Sequence, residues 1–448
     1  MTYKAGTARV CITPDEPLWL AGYAARTAPA RGKVSDLYAA ALALGDTSGQ
    51  RLVIASVDVI AITRAITDRV TDAVRERHGL CRDQLLLAAT HTHYGPEFRP
   101  DKQVFFNIPA DYAAKIPAVA DQLVAALLEV IGQALERLEP VRLFARKATA
   151  SFAHNRRRHG VVGGAPSTED VVDHDVPILD CVEGSGNRKA IVFGYACHNT
   201  TIPPDELRYC GDWAGFAKEE LQRTNTGAAV LFIAGAAADQ DPEPRGSVEL
   251  SRQYGQEIAD AVQNALQEPA IEINGPIRAA WEEVPLALEP VTHDSIRKMI
   301  DSDDPPQGMK GEFLLDQLDR GEILITSYSA PVQVVRLGNE LLLVALSGEP
   351  VVDWAHKLKH EFAQGARSER RGASKRRSVS KRSAPCPLVW VAGYCNDMFG
   401  YLPTRRVQAE GGYEGGRANL WSSIPAPFTD DVEDRITNAI HRLVEQVN

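Results

Sequence analysis

Short apolar runs punctuate the chain: "ARVCI" (8–12), "AAALALG" (39–45), "LVIASVDVI" (52–60), "LLLAA" (85–89), "AIVFGYA" (190–196), "AVLFIAG" (229–235), "VQVVRL" (332–337) and "LLLVALS" (341–347). Several are apolar at successive positions, as strands buried between layers must be. Between them the period lengthens to that of a helix. Residues 61–78 end at Gly79, a C-terminal stop. Residues 110–138 carry a stripe through Val119, Leu123, Leu127 and Ile131, with Pro117 placed to kink its start. Further helical patterns cover 213–224, 247–266, 350–363 and about 430–446, the last with Asp430 and Glu433 spaced as a capping pair. Alternating strands and helices predict an α/β protein of layered mixed β-sheets flanked by helices, with its site at strand ends. One domain over 1–448 is expected. Residues 270–330 lose the alternation and form a candidate peripheral subdomain.

Composition narrows the setting. With 44% hydrophobic and 24% charged residues, the 448-residue chain can bury a sizeable core. A formal charge of −10 argues against nucleic-acid binding by the surface as a whole. No stretch is read as the roughly 18 apolar residues of a transmembrane segment. The start, "MTYKAGTARVCITP", lacks a basic, apolar, then small-residue pattern, so no export signal is expected and the location is read as cytoplasmic. Seven scattered cysteines without a Cys-x-x-Cys pair read as reduced thiols. One segment departs from the rest. Residues 365–385, "GARSERRGASKRRSVSKRSAP", hold eight Lys or Arg against one Glu and a single larger apolar residue, Val379. Such a segment cannot pack. It reads as a basic flexible insertion, either simply solvated or contacting an anionic surface.

Chemistry concentrates where apolar runs end. "LLLAATHTHYGPE" (85–97) delivers His91 and His93 at the mouth of a strand, and a period of 2 would put both on one face. Such a pair can hold a metal, relay a proton or cap a sheet. "IVFGYACHNTT" repeats the design with His198. "LLLVALSGEPVVDW" presents Glu349, and "LVWVAGYCNDMFGYLPT" presents Asn396, Asp397 and Tyr401. Loops beyond strand ends are where α/β folds place their sites. Two histidines, a carboxylate and a tyrosine suit zinc, with a position left for water.

In order along the chain stand "AGYAART" (21–27), "ATHTHYGPE" (89–97), "AHNRRRHG" (153–160), "YACHNTT" (195–201), "GDWAGFAKEEL" (211–221), "AGAAADQDPEP" (234–244), "LSGEPVVDW" (346–354), "NDMFGYLPT" (396–404) and "YEGG" (413–416). In these motifs the sequence resembles the neutral, non-lysosomal ceramidases over nearly its whole length. The resemblance implies Zn2+ held by His91, His198, Glu349 and Tyr401. It implies His93 facing the substrate, with Arg156 and Tyr413 around the scissile carbonyl. It also implies hydrolysis of an acyl amide by zinc-activated water, as ceramide is split into sphingosine and fatty acid. Zinc lowers the pKa of bound water to about 7, and fixed donors such as His93, Tyr413 and Arg156 suit a developing oxyanion.

Two departures bear on substrate. The family's serine in a Gly-Asp-x-Ser-Pro motif corresponds here to Asp241 within "ADQDP". Pro242 biases Asp241 towards extended backbone; a carboxylate near zinc would be catalytic, helping to deprotonate bound water or holding a substrate ammonium, and would repel acidic substrates and resist a long acyl chain. The sequence also ends without the immunoglobulin-like C-terminal domain of full-length ceramidases. The leading expectation is a zinc-dependent amidohydrolase acting on a small-molecule acyl amide. The alternatives are a zinc esterase or lactonase on a small polar acyl substrate, and a non-catalytic protein docking through 365–385.

Overall fold

The computed structural model describes residues 3–159, 171–372 and 387–448. Two sheets pack face to face. The first has nine strands and runs in the order Leu85–Ala89, Arg51–Val57, Tyr38–Gly45, Tyr3–Cys11, Glu139–Thr149, Asp175–Glu183, Arg188–Tyr195 and Ala229–Ala234, with the short Ile271–Glu272 beside Glu139–Thr149. Its outermost pair at each side is parallel and the remaining pairs are antiparallel. The second sheet runs Ile277–Ala287, Ser327–Leu337, Leu341–Leu346 and Leu388–Ala392, the last pair parallel. The mixed-sheet α/β class expected from the alternation is the observed one.

Period 2 sorts each strand's side chains into two cores. Leu42, Leu44, Ile54, Leu86, Leu231 and Ile233 of the first sheet meet Val335, Leu343 and Trp390 of the second. The opposite face of the first sheet, through Ala41, Val53, Ala55 and Phe232, is covered by helices Arg64–His78, Ile116–Glu136, Asp212–Thr224 and Val248–Ala265. The outer face of the second, through Val334, Leu342 and Val344, is covered by Asp353–Gly372 and Val432–Val447. The result is four layers, helix–sheet–sheet–helix. Burial on both faces explains why these strands are apolar at successive positions.

Several local expectations change. Pro117 starts helix Ile116–Glu136 at its first turn instead of kinking a longer one, since that position needs no amide donor. The preceding Ala110–Ala113 is a separate turn. Ala110–Glu136 is long and apolar enough to cross a membrane by length and composition, against the expectation of no such stretch. Here its Val119, Leu123, Leu127 and Ile131 stripe packs in the core. The last helix begins after Asp431, not Asp430, and Glu433 pairs with Lys357 and the Arg405 amide instead of capping. Residues 270–330 contribute strand Ile277–Ala287, which pairs along its length with Ser327–Leu337. Only helices His293–Ile300 and Pro305–Asp319 form the excursion between them. Strands Glu139–Thr149 and Asp175–Glu183 were not anticipated. Of the basic segment 365–385, residues through Gly372 continue helix Asp353–Gly372. Residues 373–385 lie outside the described residues.

Candidate active site

The site forms because the two edges of the nine-stranded sheet come within one loop of each other. Ser56 in strand Arg51–Val57 donates to the Phe232 carbonyl in Ala229–Ala234 at 2.6 Å. The chain leaving Leu388–Ala392 then stitches the edges. Gly393 donates to Ala234, Tyr394 receives from Ala89, and Asn396 donates to Leu87. His91, just beyond Ala89, and His198, just beyond Tyr195, are thereby brought together although 107 positions separate them (198 − 91).

Strand Leu85–Ala89 ends before the histidines. His91 has φ +61°, so pleating does not align it with His93. A left-handed turn does. Tyr394 and Asn396 across the junction are also left-handed, at +58° and +65°. Three non-glycine residues in that region is a concentration of strain of the kind found where a site must be shaped. The His91 and His93 rings meet edge-on, with centroids 4.9 Å apart. His91 and His198 are 4.8 Å apart at 74°.

Hydrogen bonds fix the tautomers of two of the three rings. His91 Nδ1 lies 2.7 Å from the Ile60 carbonyl, and His198 Nδ1 lies 2.7 Å from that of Ala237. A carbonyl only accepts, so each Nδ1 carries the proton and each Nε2 is left with a bare lone pair. Both Nε2 atoms point at one carboxylate oxygen, Glu349 Oε2, each at 3.4 Å. Among the described residues that buried oxygen has no hydrogen-bond partner. His93 Nε2 is 3.3 Å from His91 Nε2, and its buried Nδ1 has no partner among the described residues. Ligand atoms of the three histidines lie within 4.8 Å of one another. Converging lone pairs around an unpaired carboxylate oxygen are unfavourable unless a cation joins them. Burial pushes His91 down to about 4, helped by His198, and pushes His93 well below the usual imidazole range. Burial would raise Glu349, but His91 and His198 outweigh it and hold the carboxylate at about 2.

Tyr401 is placed by a short parallel pairing of Glu349–Pro350 with Tyr401–Leu402, so it is the backbone neighbour of Glu349. Its hydroxyl accepts from Arg156 Nη2 at 3.1 Å, and its ring meets Tyr413 at 5.2 Å. Arg156 sits behind these groups. Its Nε donates to Glu414 at 2.7 Å, its Nη1 to Asp241 at 3.4 Å, and its amide to the Asp239 carbonyl. Arg156 thus stands beside both tyrosines, on the Tyr401 hydroxyl and 5.6 Å from the centre of the Tyr413 ring, in the company the resemblance expects for it. Asp241 is extended, as Pro242 predicts, and pairs with His154 across two short strands. Its oxygens accept from Arg245 at 2.8 Å and from Arg156 and Thr200 at 3.4 Å, and one of them lies 3.9 Å from His198 Nδ1. Burial would raise its pKa, yet Arg156, His198 and Arg245 lower it, so it is an ionised carboxylate between guanidiniums.

Over the histidines opens a cleft of about 680 Å³, lined by His91, His93, Glu349, Tyr401 and Tyr413 together with apolar Phe106, Met398, Phe399, Trp421 and Ile424. Other contributors had no role expected from the sequence. Tyr23 packs on His93 at 4.8 Å, Tyr394 lies over His91 at 4.2 Å, and Arg26 donates to the His93 carbonyl. Gly22, at φ +98°, leaves no room for a Cβ against the His93 ring. The signal for three of them was "AGYAART", whose glycine, tyrosine and arginine had a motif but no partner until the fold supplied one.

The family model for neutral/alkaline non-lysosomal ceramidase, N-terminal region, matches residues 3–245. The chain belongs to this family. It is similar to neutral ceramidase of Pseudomonas aeruginosa, 24% identical over 227 residues, which are 47% of this chain and 33% of that protein. It is also similar to neutral ceramidase A of Dictyostelium discoideum, 24% identical over 264 residues, 55% of this chain and 36% of the relative. The match thus spans about a third of the length of these curated relatives. A ceramidase solved in complex with C2 superposes with a TM-score of 0.72 at 19% identity, over 99% of this chain and 76% of the other. The crystal structure of the Pseudomonas aeruginosa neutral ceramidase gives 0.72 at 19% identity, over 99% and 75%. These likenesses establish a shared fold.

Proposed function

We propose that this ceramidase-family chain is a zinc-dependent hydrolase that cleaves the amide of an N-acyl substrate in the cleft. One observation carries the reading: the Nε2 lone pairs of His91 and His198, their tautomers fixed by backbone carbonyls, converge on the unpaired Glu349 Oε2. A nitrogen–nitrogen–oxygen set of neutral imidazoles and a carboxylate is chemistry that suits zinc. In this reading His91, His198 and Glu349 hold the ion, and Tyr401 is the fourth donor. Bound there, zinc would polarise an acyl carbonyl and acidify water.

The remaining work belongs to side chains. His93 differs from the other two histidines in having no carbonyl on Nδ1, so either nitrogen can carry its proton. That freedom suits a group that takes a proton from attacking water and returns it to the leaving amine. Its resting neutrality, imposed by burial beside two imidazoles, leaves it able to accept. Tyr413, on the cleft wall, presents a hydroxyl able to donate to the oxyanion as it develops. Arg156 holds Tyr401, and Asp241 and Glu414 hold Arg156. The apolar wall takes the acyl chain and excludes water.

The test is metal analysis of the purified protein followed by hydrolysis of a panel of acyl amides and esters, ceramide included. About one zinc per chain and amide turnover are expected. His91→Ala or Glu349→Gln should lose the zinc, whereas His93→Ala should keep it and lose turnover. Full zinc and full activity in His91→Ala would refute the assignment. Turnover of esters with none of amides would replace the amidase reading with an esterase.

A further inference from the structure

The cleft wall carries a charged group that a neutral lipid amide does not call for. Two residues past His93 comes Gly95-Pro96, then Glu97-Phe98-Arg99. Arg99 donates from Nε and Nη2 to the two oxygens of Glu97, at 2.8 and 2.6 Å, and Glu97 also accepts from the Phe98 and Arg99 amides. Glu97 is fully buried behind the wall, while Arg99 lines the cleft. The pairing uses one edge of the guanidinium. Among the described residues Nη1 has no protein partner, and it is not sealed from the cleft. The fork is therefore held rigid from behind with three N–H donors left over, two of them on Nη1.

Its position is as telling as its orientation. Arg99 lines the same cleft as His91, His93 and Glu349, six positions beyond His93 along one connecting segment. Burial alone would lower the Arg99 pKa, but Glu97 more than offsets it, and the guanidinium stays charged. Lys102, one turn on, also lines the cleft. Its Nζ reaches the Trp421 carbonyl at 2.5 Å and Asp101 at 3.2 Å, which anchors the apolar Trp421 wall opposite. Taking an Arg–Glu pair out of water is weak as a source of stability. Presenting a fixed donor pair to a ligand is a use that repays it.

We infer that Arg99 is a specificity-determining residue that binds a carboxylate placed next to the scissile amide, so that the substrate class is an N-acyl amino acid. This rests on the hydrolase reading of the same site and narrows it. Water adds across the amide, giving a fatty acid and a free amino acid. The α-carboxylate of such a substrate is two bonds from the amide nitrogen, which suits a guanidinium in the same cleft as the histidines. The acyl chain lies along Phe106, Phe399 and Trp421. Asp241, which in isolation would repel an acidic substrate, does not oppose this, because Arg156 and Arg245 already balance its charge.

Two pairs of probes decide it. Hydrolysis is compared for N-octanoylglycine and N-octanoylglycinamide, which differ only in carboxylate against carboxamide. Binding is compared by calorimetry for octyloxyacetate and octyloxyacetamide, which lack the scissile bond. The purified protein should favour the carboxylate of each pair by about 10- to 100-fold, the range of charge-assisted hydrogen bonds. Because Arg99→Gln alone strands a buried carboxylate, the test variant is Glu97→Gln/Arg99→Gln, in which both ratios should fall to about one. Arg99→Lys should retain part of the preference. A wild-type ratio at or below one overturns the inference, as does a ratio that survives in the double variant. Amide turnover without carboxylate preference would leave the hydrolase reading standing and this inference refuted. Carboxylate preference in binding, lost in the double variant, with no hydrolysis of either amide, would do the reverse.

Discussion

Replacing Gly22 by alanine puts a single methyl against His93. The new Cβ would lie 2.5 Å from His93 Nδ1 and 2.6 Å from Cγ. An unstrained contact needs about 3.5 Å, so the ring must retreat by about 1 Å. The opposite face of the ring is not free to yield, since His93 Nε2 is already 3.3 Å from His91 Nε2 and Tyr23 packs on the ring. A shift of that size in a group that handles the reacting proton costs on the order of 100-fold in rate. Gly22 also has φ +98°, which alone costs an alanine about 1–2 kcal/mol of stability. Gly32 separates the two effects. It has φ +102°, and an added methyl there would meet nothing within 4 Å, so Gly32→Ala carries the backbone cost without the clash. Both variants should lose stability in urea unfolding, Gly22→Ala by about 1–3 kcal/mol more because of the clash. Only Gly22→Ala should lose about 100-fold in kcat/KM, with its metal content unchanged. Equal activities in the two variants would show that the His93 position does not govern turnover.

Glu414 is fully buried between Arg156 and Arg157, at 2.7 and 2.8 Å. Glu414→Gln should destabilise the fold by about 3–5 kcal/mol, because it leaves two guanidiniums short of a counter-charge. Burial would raise the Glu414 pKa but Arg156 brings it below the ordinary value. Its contribution is therefore present above about pH 4.5 and lost as the pH falls through the folded-state value. Urea midpoints of the wild type should drop over that acid range, and those of Glu414→Gln should drop less. Asp241→Asn should keep the metal and slow hydrolysis by about 10-fold, since Asp241 acts from behind the donors, through Arg156 on Tyr401 and from 3.9 Å on His198 Nδ1. Metal loss in that variant would instead place Asp241 among the ion's donors.

The sequence by itself determined the class of fold and the cast of the site. Apolar positions at period 2 and near 3.6 are imposed locally by the geometry of strand and helix, so the doubly buried strands and their covering helices were legible residue by residue. Glu139–Thr149 is the exception, missed although Val141, Leu143 and Ala145 alternate, because charged residues stand between them. The motif series picked out His91, His93, His198, Glu349 and Tyr401 because polar residues at the ends of apolar runs have few structural uses. Tertiary structure decided everything that depends on distance between remote segments. The meeting of the two sheet edges carries His198 to His91, and no local pattern encodes it. The left-handed turn at His91 overrode the pleat that would have paired it with His93. Arg156 and Asp241 lie 85 positions apart in sequence, yet packing makes them each other's counter-charges beside Tyr401 and His198. Glu97 and Arg99 look like an ordinary surface pair in sequence. Only burial of the glutamate, with one guanidinium edge open to the cleft, turns them into a binding feature, because which side of a side chain meets solvent is fixed by the layers packed around it.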